Sequence, residues 1–201
     1  MRKVDPERQQ AKRRQIMEAA ADCFARRGFH ATTTAEICAA AGMSPGNLFH
    51  YFDSKSAIVE AIIEEEQRDT AAYFETLGDA PDLLEALLGF LDVVMGFAAD
   101  KAYSRLALEI AAEATRNPTV GARVAASDAA TREAIAALLR TAVARRQVDA
   151  SLDAGQTASW IAALIDGVFA RLAVDSSFEP EAEAPMLRLI VSRFLRPGRA
   201  A

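Results

Sequence analysis

Cysteine and histidine are scarce in this chain of 201 residues, which contains two of each. Cys23 and Cys38 belong to no CxxC motif and to no cluster with metal-ligand spacing, so the sequence predicts neither a metal site nor a disulfide framework. A free thiol on an apolar helix face packs as a small hydrophobic side chain, and redox sensing is the alternative. Only His30 and His50 are left for acid–base chemistry. We therefore predict no catalytic residues, no metal and no resident cofactor.

An uninterrupted apolar run of membrane-spanning length is also missing. The longest candidate, residues 158–174, is interrupted by Asp166 and Arg171, which predicts a core helix. The residues after Met1 are charged, without a leading apolar segment. We expect a cytoplasmic protein with no membrane partner.

The alternating apolar pattern of β-strands is absent, and so is any internal repeat. Apolar residues make up 51% of the chain and recur at three- and four-residue spacing, which predicts an all-α fold of about nine helices. One long helix is expected to run from Asp53 or Ser54 to about Leu77. Its acidic run at residues 64–66 has no obvious partner, so we expect these side chains to face solvent.

Positive charge is in the minority, since 23 Lys and Arg stand against 28 Asp and Glu. The first 55 residues nevertheless carry nine basic against six acidic side chains, and the remaining residues carry 14 against 22. This asymmetry favours a DNA-facing end, with chance clustering of solvated charges as the alternative. Lys12, Arg13 and Arg14 either reach backbone phosphates or form a solvated face.

The stretch from Thr32 to Lys55 has the pattern of two short helices joined by a tight turn. Three consecutive threonines, residues 32–34, offer hydroxyl N-caps for the first helix. Gly42 can take the left-handed conformation that ends it, and Met43 is then placed between the two helices. A plain helical hairpin in an all-α core is the alternative.

The second short helix begins with residues of little bulk. Ser44 is a good N-cap, Pro45 suits a first helical turn, and Gly46 and Asn47 would let the helix approach a base edge closely. We expect Pro45, Gly46 and Asn47 to lie near base edges.

In the second short helix, the side chains after Asn47 are expected to divide between core and surface. Leu48, Phe49 and Phe52 are predicted to face inward, whereas His50 and Tyr51 point elsewhere with polar tips. The predicted phosphate contacts are Thr33, Thr34, Ser44, His50, Tyr51 and Lys55.

Residues 26–38 (RRGFHATTTAEIC) and 40–62 (AAGMSPGNLFHYFDSKSAIVEAI) resemble the DNA-binding domain of the TetR family of one-component transcriptional regulators. The resemblance implies a three-helix domain at residues 9–69, with its helix-turn-helix at about 33–52. It also implies a ligand-sensing and dimerisation domain at residues 70–196. Pro197-Gly198 ends the last predicted helix, so we expect a disordered tail at 197–201. Phe49 stands where the family usually has tyrosine, so Tyr51 becomes the candidate for that phosphate contact.

A weaker resemblance covers residues 106–118 and 160–172. These segments are similar to the ligand-sensing domain of TetR regulators, particularly the branch that includes the choline-responsive repressor. Because ligands vary widely in the family, the resemblance does not name an effector.

Broad apolar stripes mark the last two predicted helices. In the resembled family two such helices pair with those of a second copy as a four-helix bundle, and closing the monomer's own core is the alternative. The predicted dimer-interface residues are Trp160, Leu164, Val168, Phe169, Leu172, Met186, Leu187, Ile190, Val191 and Phe194.

Acidic and aromatic side chains in the body predict a ligand pocket. Acid plus aromatic ring suits a cationic or amphipathic molecule. The predicted pocket residues are Phe90, Phe97, Tyr103, Glu109, Glu113 and Asp166. Solvent exposure, or a salt bridge to Arg105 or Arg116, is the alternative for the two glutamates. For Asp166-Gly167 the alternative is a hydrogen bond across a close helix contact.

These patterns lead to one hypothesis and two rivals. We expect a homodimeric, ligand-responsive repressor that binds a palindromic operator in double-stranded DNA and is released by a small-molecule effector. The first rival is a DNA-binding module that recruits a protein partner without an inducer. The second is an all-α enzyme, which would have to work with acidic residues alone.

Overall fold

A computed structural model describes residues 6–196, and every regular element in that part of the chain is a helix. The predicted tail at residues 197–201 lies outside the described residues. The helices are α1 (Pro6–Arg27), α2 (Thr34–Ala40), α3 (Pro45–Tyr51), α4 (Lys55–Leu77), α5 (Leu83–Ala99), α6 (Lys101–Ala114), α7 (Pro118–Ala144), α8 (Ala154–Val174) and α9 (Pro180–Leu195). The all-α prediction is confirmed.

The chain divides into two compact units. The first comprises Met1–Glu65 together with Arg105–Val124, and the second comprises Glu66–Ser104 together with Ala125–Ala201. The chain passes from one unit to the other within α4, α6 and α7. Most of α6, from Arg105 onward, therefore belongs to the same unit as the predicted helix-turn-helix.

The first unit has its own apolar core, to which α1, α2, α3 and α4 each contribute a fully buried side chain: Ile16, Ile37, Leu48 and Ile58. Gly28 follows α1 with φ of 80°, a left-handed conformation that ends the helix and that glycine adopts without strain. The helix-turn-helix thus packs on α1 and α4, and its apolar side chains are buried in this core.

Local sequence explains both ends of α2. Thr33 is the N-cap: its hydroxyl accepts from the Glu36 backbone N–H at 3.2 Å, and the Glu36 carboxylate accepts from the Thr33 N–H at 2.8 Å. This capping box satisfies two donors that the first turn would otherwise leave unpaired. Gly42, with φ of 62°, then turns the chain towards Ser44 and Pro45.

The second unit is built around α5, which is apolar on most of its surface. Asp82 caps it by accepting from the Glu85 N–H at 2.9 Å. Its fully buried Leu83, Leu87, Leu91 and Met95 share a core with Ile135 of α7, Ile161 of α8 and Leu195 of α9. Arg188 of α9 forms ion pairs with Glu85 and Asp92 of α5.

Helix α8 is the one described helix that is long and apolar enough to cross a membrane by composition alone. Its side chains Ala158, Ile161 and Val168 lie in the core of the second unit, as the interrupted apolar run predicts. A core helix passes the same compositional test, so this is weak support for a membrane span.

The acidic run of α4 is not the unpartnered surface that the sequence predicts. Glu64 pairs with Arg123 at 2.9 Å, and Glu65 pairs with Arg14 at 3.1 Å. Glu66 hydrogen-bonds with Tyr103, and burial raises the pKa of its carboxyl to about 7, with the Asp69 charge adding to the shift. The expectation is wrong because each partner comes from a distant part of the chain.

Candidate nucleic-acid interface

The start of α3 forms an exposed tip on the first unit. Ser44, Pro45, Gly46 and Asn47 are all exposed, whereas the next residue, Leu48, is fully buried and fixes the helix to the core. Pro45 occupies the first turn, where its missing N–H costs nothing. A Cβ added at Gly46 would meet no atom within 4 Å, so its lack of a side chain is not needed for packing within the protein.

Phe49 corrects one sequence prediction. The sequence predicts that it faces inward, but 49% of the residue is exposed, because Leu48 and Phe52 already fill the core side of this short helix. An exposed aromatic side chain beside the tip offers apolar contact to a partner surface.

His50 and Tyr51 differ in exposure. His50 is exposed, whereas Tyr51 is half-buried against the first core, and their rings meet edge to face at 5.2 Å. Both stay predictions as phosphate contacts. His50 is the more accessible of the two.

The hydroxyl groups expected to hold phosphates have different local surroundings. The Thr33 hydroxyl is engaged in the α2 capping box, while the Ser44 side chain makes no capping hydrogen bond and is free to act as a donor. Thr34 is half-buried at the first position of α2. Their role at phosphates stays a prediction.

Lys55 is tied to the protein backbone. Its Nζ donates to the Phe29 carbonyl oxygen at 2.8 Å and to the Thr32 carbonyl oxygen at 2.5 Å, and it lies 4.7 Å from the centre of the Phe29 ring. Burial lowers the pKa of this ammonium, opposed by the charges of Glu113 and Glu36. Two of its three N–H donors are thus used internally, and one is left for the predicted phosphate contact.

Helix α1 holds the C-terminal ends of both short helices, a feature that the sequence analysis missed. Gln15 Nε2 donates to the Ala41 carbonyl oxygen at 2.9 Å, and Arg13 Nη1 donates to the Tyr51 carbonyl oxygen at 2.8 Å. The Arg13 guanidinium also lies 4.2 Å from the centre of the Phe52 ring. These carbonyls have no partner inside their own helices, so α1 satisfies them and fixes the angle of α3.

Comparison with known proteins accounts for both parts of the chain. Residues 16–62 match the family described as bacterial regulatory proteins, tetR family, and residues 83–196 match the family described as BetI-type transcriptional repressor, C-terminal. The chain belongs to the TetR family. It is a DNA-binding transcriptional regulator and not an enzyme.

Relatives match along nearly the whole chain. The HTH-type transcriptional regulator UidR of Escherichia coli (strain K12) is 28% identical over 190 residues, which cover 92% of this chain and 94% of UidR. The HTH-type transcriptional repressor Rv1474c of Mycobacterium tuberculosis is 30% identical over 192 residues, covering 94% and 96%. The solved structure of Salmonella enterica GusR superposes with a TM-score of 0.78 at 32% identity, covering 92% and 95%.

The predicted dimer-interface residues of this TetR regulator fall into two groups. Val168, Leu187 and Val191 are buried in the core of the second unit, and three more pack partly against it: Leu164, Phe169 and Leu172. The other four are exposed, with exposed fractions of 67% for Trp160, 53% for Met186, 47% for Ile190 and 41% for Phe194. The six residues of the first group close the core of the second unit, which was the alternative to dimerisation, whereas the role of the four exposed residues at a dimer interface stays a prediction.

The exposed apolar side chains of α8 and α9 border a groove. Its volume is ≈ 520 Å³, and its walls include Trp160, Leu164, Ile190 and Phe194. Further along α8, a Cβ added at Gly167 would meet no atom within 4 Å. This face is apolar and has little bulk at its middle, which suits close packing of another helix.

The structure does not bring the six predicted pocket residues together in one unit. Glu109 and Glu113 belong to the first unit, where Glu109 accepts from the Phe29 N–H at 2.9 Å and Glu113 lies 3.1 Å from His30 Nε2. Neither glutamate pairs with Arg105 or Arg116, the alternative partners, because the loop after α1 supplies closer ones.

The remaining pocket candidates belong to the second unit. Phe97 stacks on Tyr103 at 5.0 Å, and Tyr103 lies 6.1 Å from Phe169. Phe90 is buried and packs on Phe74 at 4.8 Å, whereas Asp166 is exposed. The acid that the sequence missed here is Glu66, whose carboxyl hydrogen-bonds with Tyr103.

Proposed function

We propose that this regulator is a homodimeric repressor that inserts the Pro45–Asn47 tip of each subunit near base edges of a palindromic operator. The observation that carries the proposal is the exposure of residues 44–47 on a helix whose opposite side, at Leu48, is fully buried. A helix start placed in this way brings backbone N–H groups and the Asn47 amide towards the major groove without moving the core.

Two copies are needed for useful affinity. One seven-residue helix buries little DNA surface, while two tips about 34 Å apart along the duplex read the two halves of a palindrome. The exposed set on α8 and α9, formed by Trp160, Met186, Ile190 and Phe194, supports this pairing, because large apolar side chains in a group mark an interface.

The effector is proposed to be a small cationic or amphipathic molecule. Phe97 is 50% exposed and stacks on Tyr103, so these rings present an accessible π-face beside the Glu66 carboxyl. A cation gains from the rings, and its charge also favours the ionised form of the Glu66 carboxyl, whose pKa burial raises to about 7. Binding that favours a state with wrongly spaced tips would release the operator, and the affinity difference between the states sets the extent of release. Such a regulator acts on DNA in the cytoplasm.

Selection of bound fragments from the source genome, followed by titration of variants, tests this function. Asn47→Ala should relax base preference at one position in each half-site, because it removes an amide from a base edge. His50→Ala should weaken binding to all sequences by a similar factor. Asn47→Ala is the matched control for His50→Ala, since each shortens one exposed side chain of α3. Equal, sequence-independent losses from both would reject the assigned roles, and recovery of no palindromic sequence would reject the function.

A further inference from the structure

Two acidic side chains of α6 hold the loop between α1 and α2, inside the first unit. Glu109 Oε2 accepts from the Phe29 backbone N–H at 2.9 Å, and Glu113 Oε2 lies 3.1 Å from His30 Nε2. Residues four apart lie on the same helix face, so one turn of α6 contacts two adjacent loop residues. We refer to Glu109, Glu113, Phe29 and His30 as the α6 clamp.

The Phe29 peptide group is held from both sides. Its N–H donates to Glu109 of α6, and its carbonyl oxygen accepts from Lys55 of α4. Gly28 makes the first contact possible for two reasons. A Cβ at this position would lie 3.2 Å from Glu109 Oε2, and any other residue type would be strained by the backbone φ of 80°. This peptide is therefore fixed by charged groups on two different helices.

Glu113 is the more buried acid of the clamp. The residue is only 5% exposed, and its Oε2 has no hydrogen-bond partner among the described residues, while Oε1 accepts from Asn117 Nδ2 at 3.3 Å. A buried carboxylate is costly unless an opposite charge is near. The His30 imidazolium supplies that charge when it is protonated.

We propose that Glu109 and Glu113 are positioning residues for DNA binding, although neither is among the residues assigned to DNA. They fix residues 28–32 to α6, and this loop ends at Thr33, the N-cap that starts α2 of the helix-turn-helix. Both glutamates and the loop that they hold belong to the first unit, so the inference concerns the internal order of that unit. This inference rests on the proposed operator binding.

Substitution of Glu109 tests the first contact. With a duplex that carries the selected palindrome, Glu109→Ala should bind about tenfold more weakly, because the buried Phe29 N–H loses a charged acceptor and the loop must be ordered on binding. Glu109→Gln keeps an acceptor oxygen and should stay within about threefold of the wild type. Glu18→Ala is the matched control, since it removes the same charge from an exposed site on α1.

A double-mutant cycle tests the second contact. Operator affinity is measured for His30→Gln, for Glu113→Gln and for the protein that carries both substitutions. The charged groups around the loop are Glu109 and Glu113 of α6, Lys55 of α4 and Glu36 of α2. Each single substitution should weaken operator binding by about threefold, and the two together should cost no more than either alone, because both remove the same contact.

The outcomes separate the inference from the function on which it rests. Failure of the parent protein to bind any selected duplex would overturn the proposed function. Operator binding by the parent protein that Glu109→Ala leaves unchanged would overturn the clamp alone. Effects of His30→Gln and Glu113→Gln that are absent or simply add would do the same. If Glu109→Ala loses helix content, the cycle between His30 and Glu113 decides.

Discussion

Arg13 of α1 and Tyr51 at the end of α3 are joined by a hydrogen bond of 2.8 Å, from the guanidinium to the backbone carbonyl oxygen. The same guanidinium lies over the Phe52 ring. A basic residue near a DNA-reading helix is easily interpreted as a phosphate contact. Here the Arg13 guanidinium instead caps the C-terminal end of α3, the helix that carries the exposed tip.

Arg13→Ala should destabilise the protein by about 2 kcal/mol, because it removes a charged hydrogen bond and a cation–π contact at a half-buried site. Thermal unfolding measures the loss, and operator affinity should fall for all sequences because α3 loses its support. Arg14→Ala removes the same charge from an exposed pair with Glu65 and should change stability by less than about 0.5 kcal/mol. Equal effects from the two variants would contradict the assigned role.

Two glycines of the helix-turn-helix should respond in opposite ways to alanine. Gly42 has φ of 62°, so Gly42→Ala should cost about 1–2 kcal/mol of stability although the added Cβ meets no atom. Gly46→Ala should leave stability unchanged or slightly raised, since alanine favours the helix. It should nevertheless weaken operator binding about tenfold if the tip approaches base edges closely. Unfolding curves and DNA titrations of both variants check this, and normal DNA binding by Gly46→Ala would argue against close approach.

Sequence alone predicts the helices well where local signals are strong. The threonines predict the start of α2, Gly42 predicts its end, and Ser44-Pro45 predicts the start of α3. The structure confirms a capped α2, a left-handed Gly42 and a proline in the first turn of α3. Each of these features depends on residues within four positions of one another. Such local chemistry can be read without knowing the fold.

Long-range pairings could not be predicted in the same way. Glu66 and Tyr103 are 37 positions apart in the chain, and Phe29 and Glu109 are 80 apart, so each pair meets only through the tertiary fold. Lys55 shows the consequence, since the sequence offers it as a free cation and the structure uses two of its donors on backbone carbonyls. The apolar character of Phe49 predicts a buried position, but Leu48 and Phe52 already occupy the core side of the helix.

Loss of the exposed apolar side chains on α8 and α9 should separate the subunits. The double variant Trp160→Ala, Ile190→Asp should raise the dimer dissociation constant at least about 100-fold, as expected for large side chains at the centre of an interface. Sedimentation equilibrium measures it, and helix content should be retained because 67% of Trp160 and 47% of Ile190 are exposed in the single chain.

The control for this dimer prediction is Val93→Asp. Val93 is 40% exposed on α5 and belongs to neither stripe, so this variant should stay dimeric. Monomers formed by both the double variant and the control, or dimers retained by both, would contradict the assignment of the interface to α8 and α9.

Glu66 should make stability fall as pH rises. Burial raises the pKa of this carboxyl from 4.5 to about 7, so between these pH values the folded chain holds a proton that the unfolded chain releases. The advantage of the protonated form is complete below pH 4.5 and is lost as pH rises through 7. A full shift corresponds to about 3 kcal/mol, and partial exposure to solvent reduces this to about 1–2 kcal/mol.

The variant Glu66→Gln isolates this titration, because glutamine stays neutral and can still accept a hydrogen bond from Tyr103. Urea unfolding gives the free energy of unfolding of both proteins at pH 5 and pH 8. The difference between the variant and the wild type should move in favour of the variant by about 1–2 kcal/mol from pH 5 to pH 8. Glu75→Gln, at an exposed position of the same helix, should change nothing. His30 and His50 are common to all three proteins, so the difference between variants reports Glu66. Parallel pH profiles for Glu66→Gln and the wild type would show that the carboxyl is already ionised in the folded protein at pH 5.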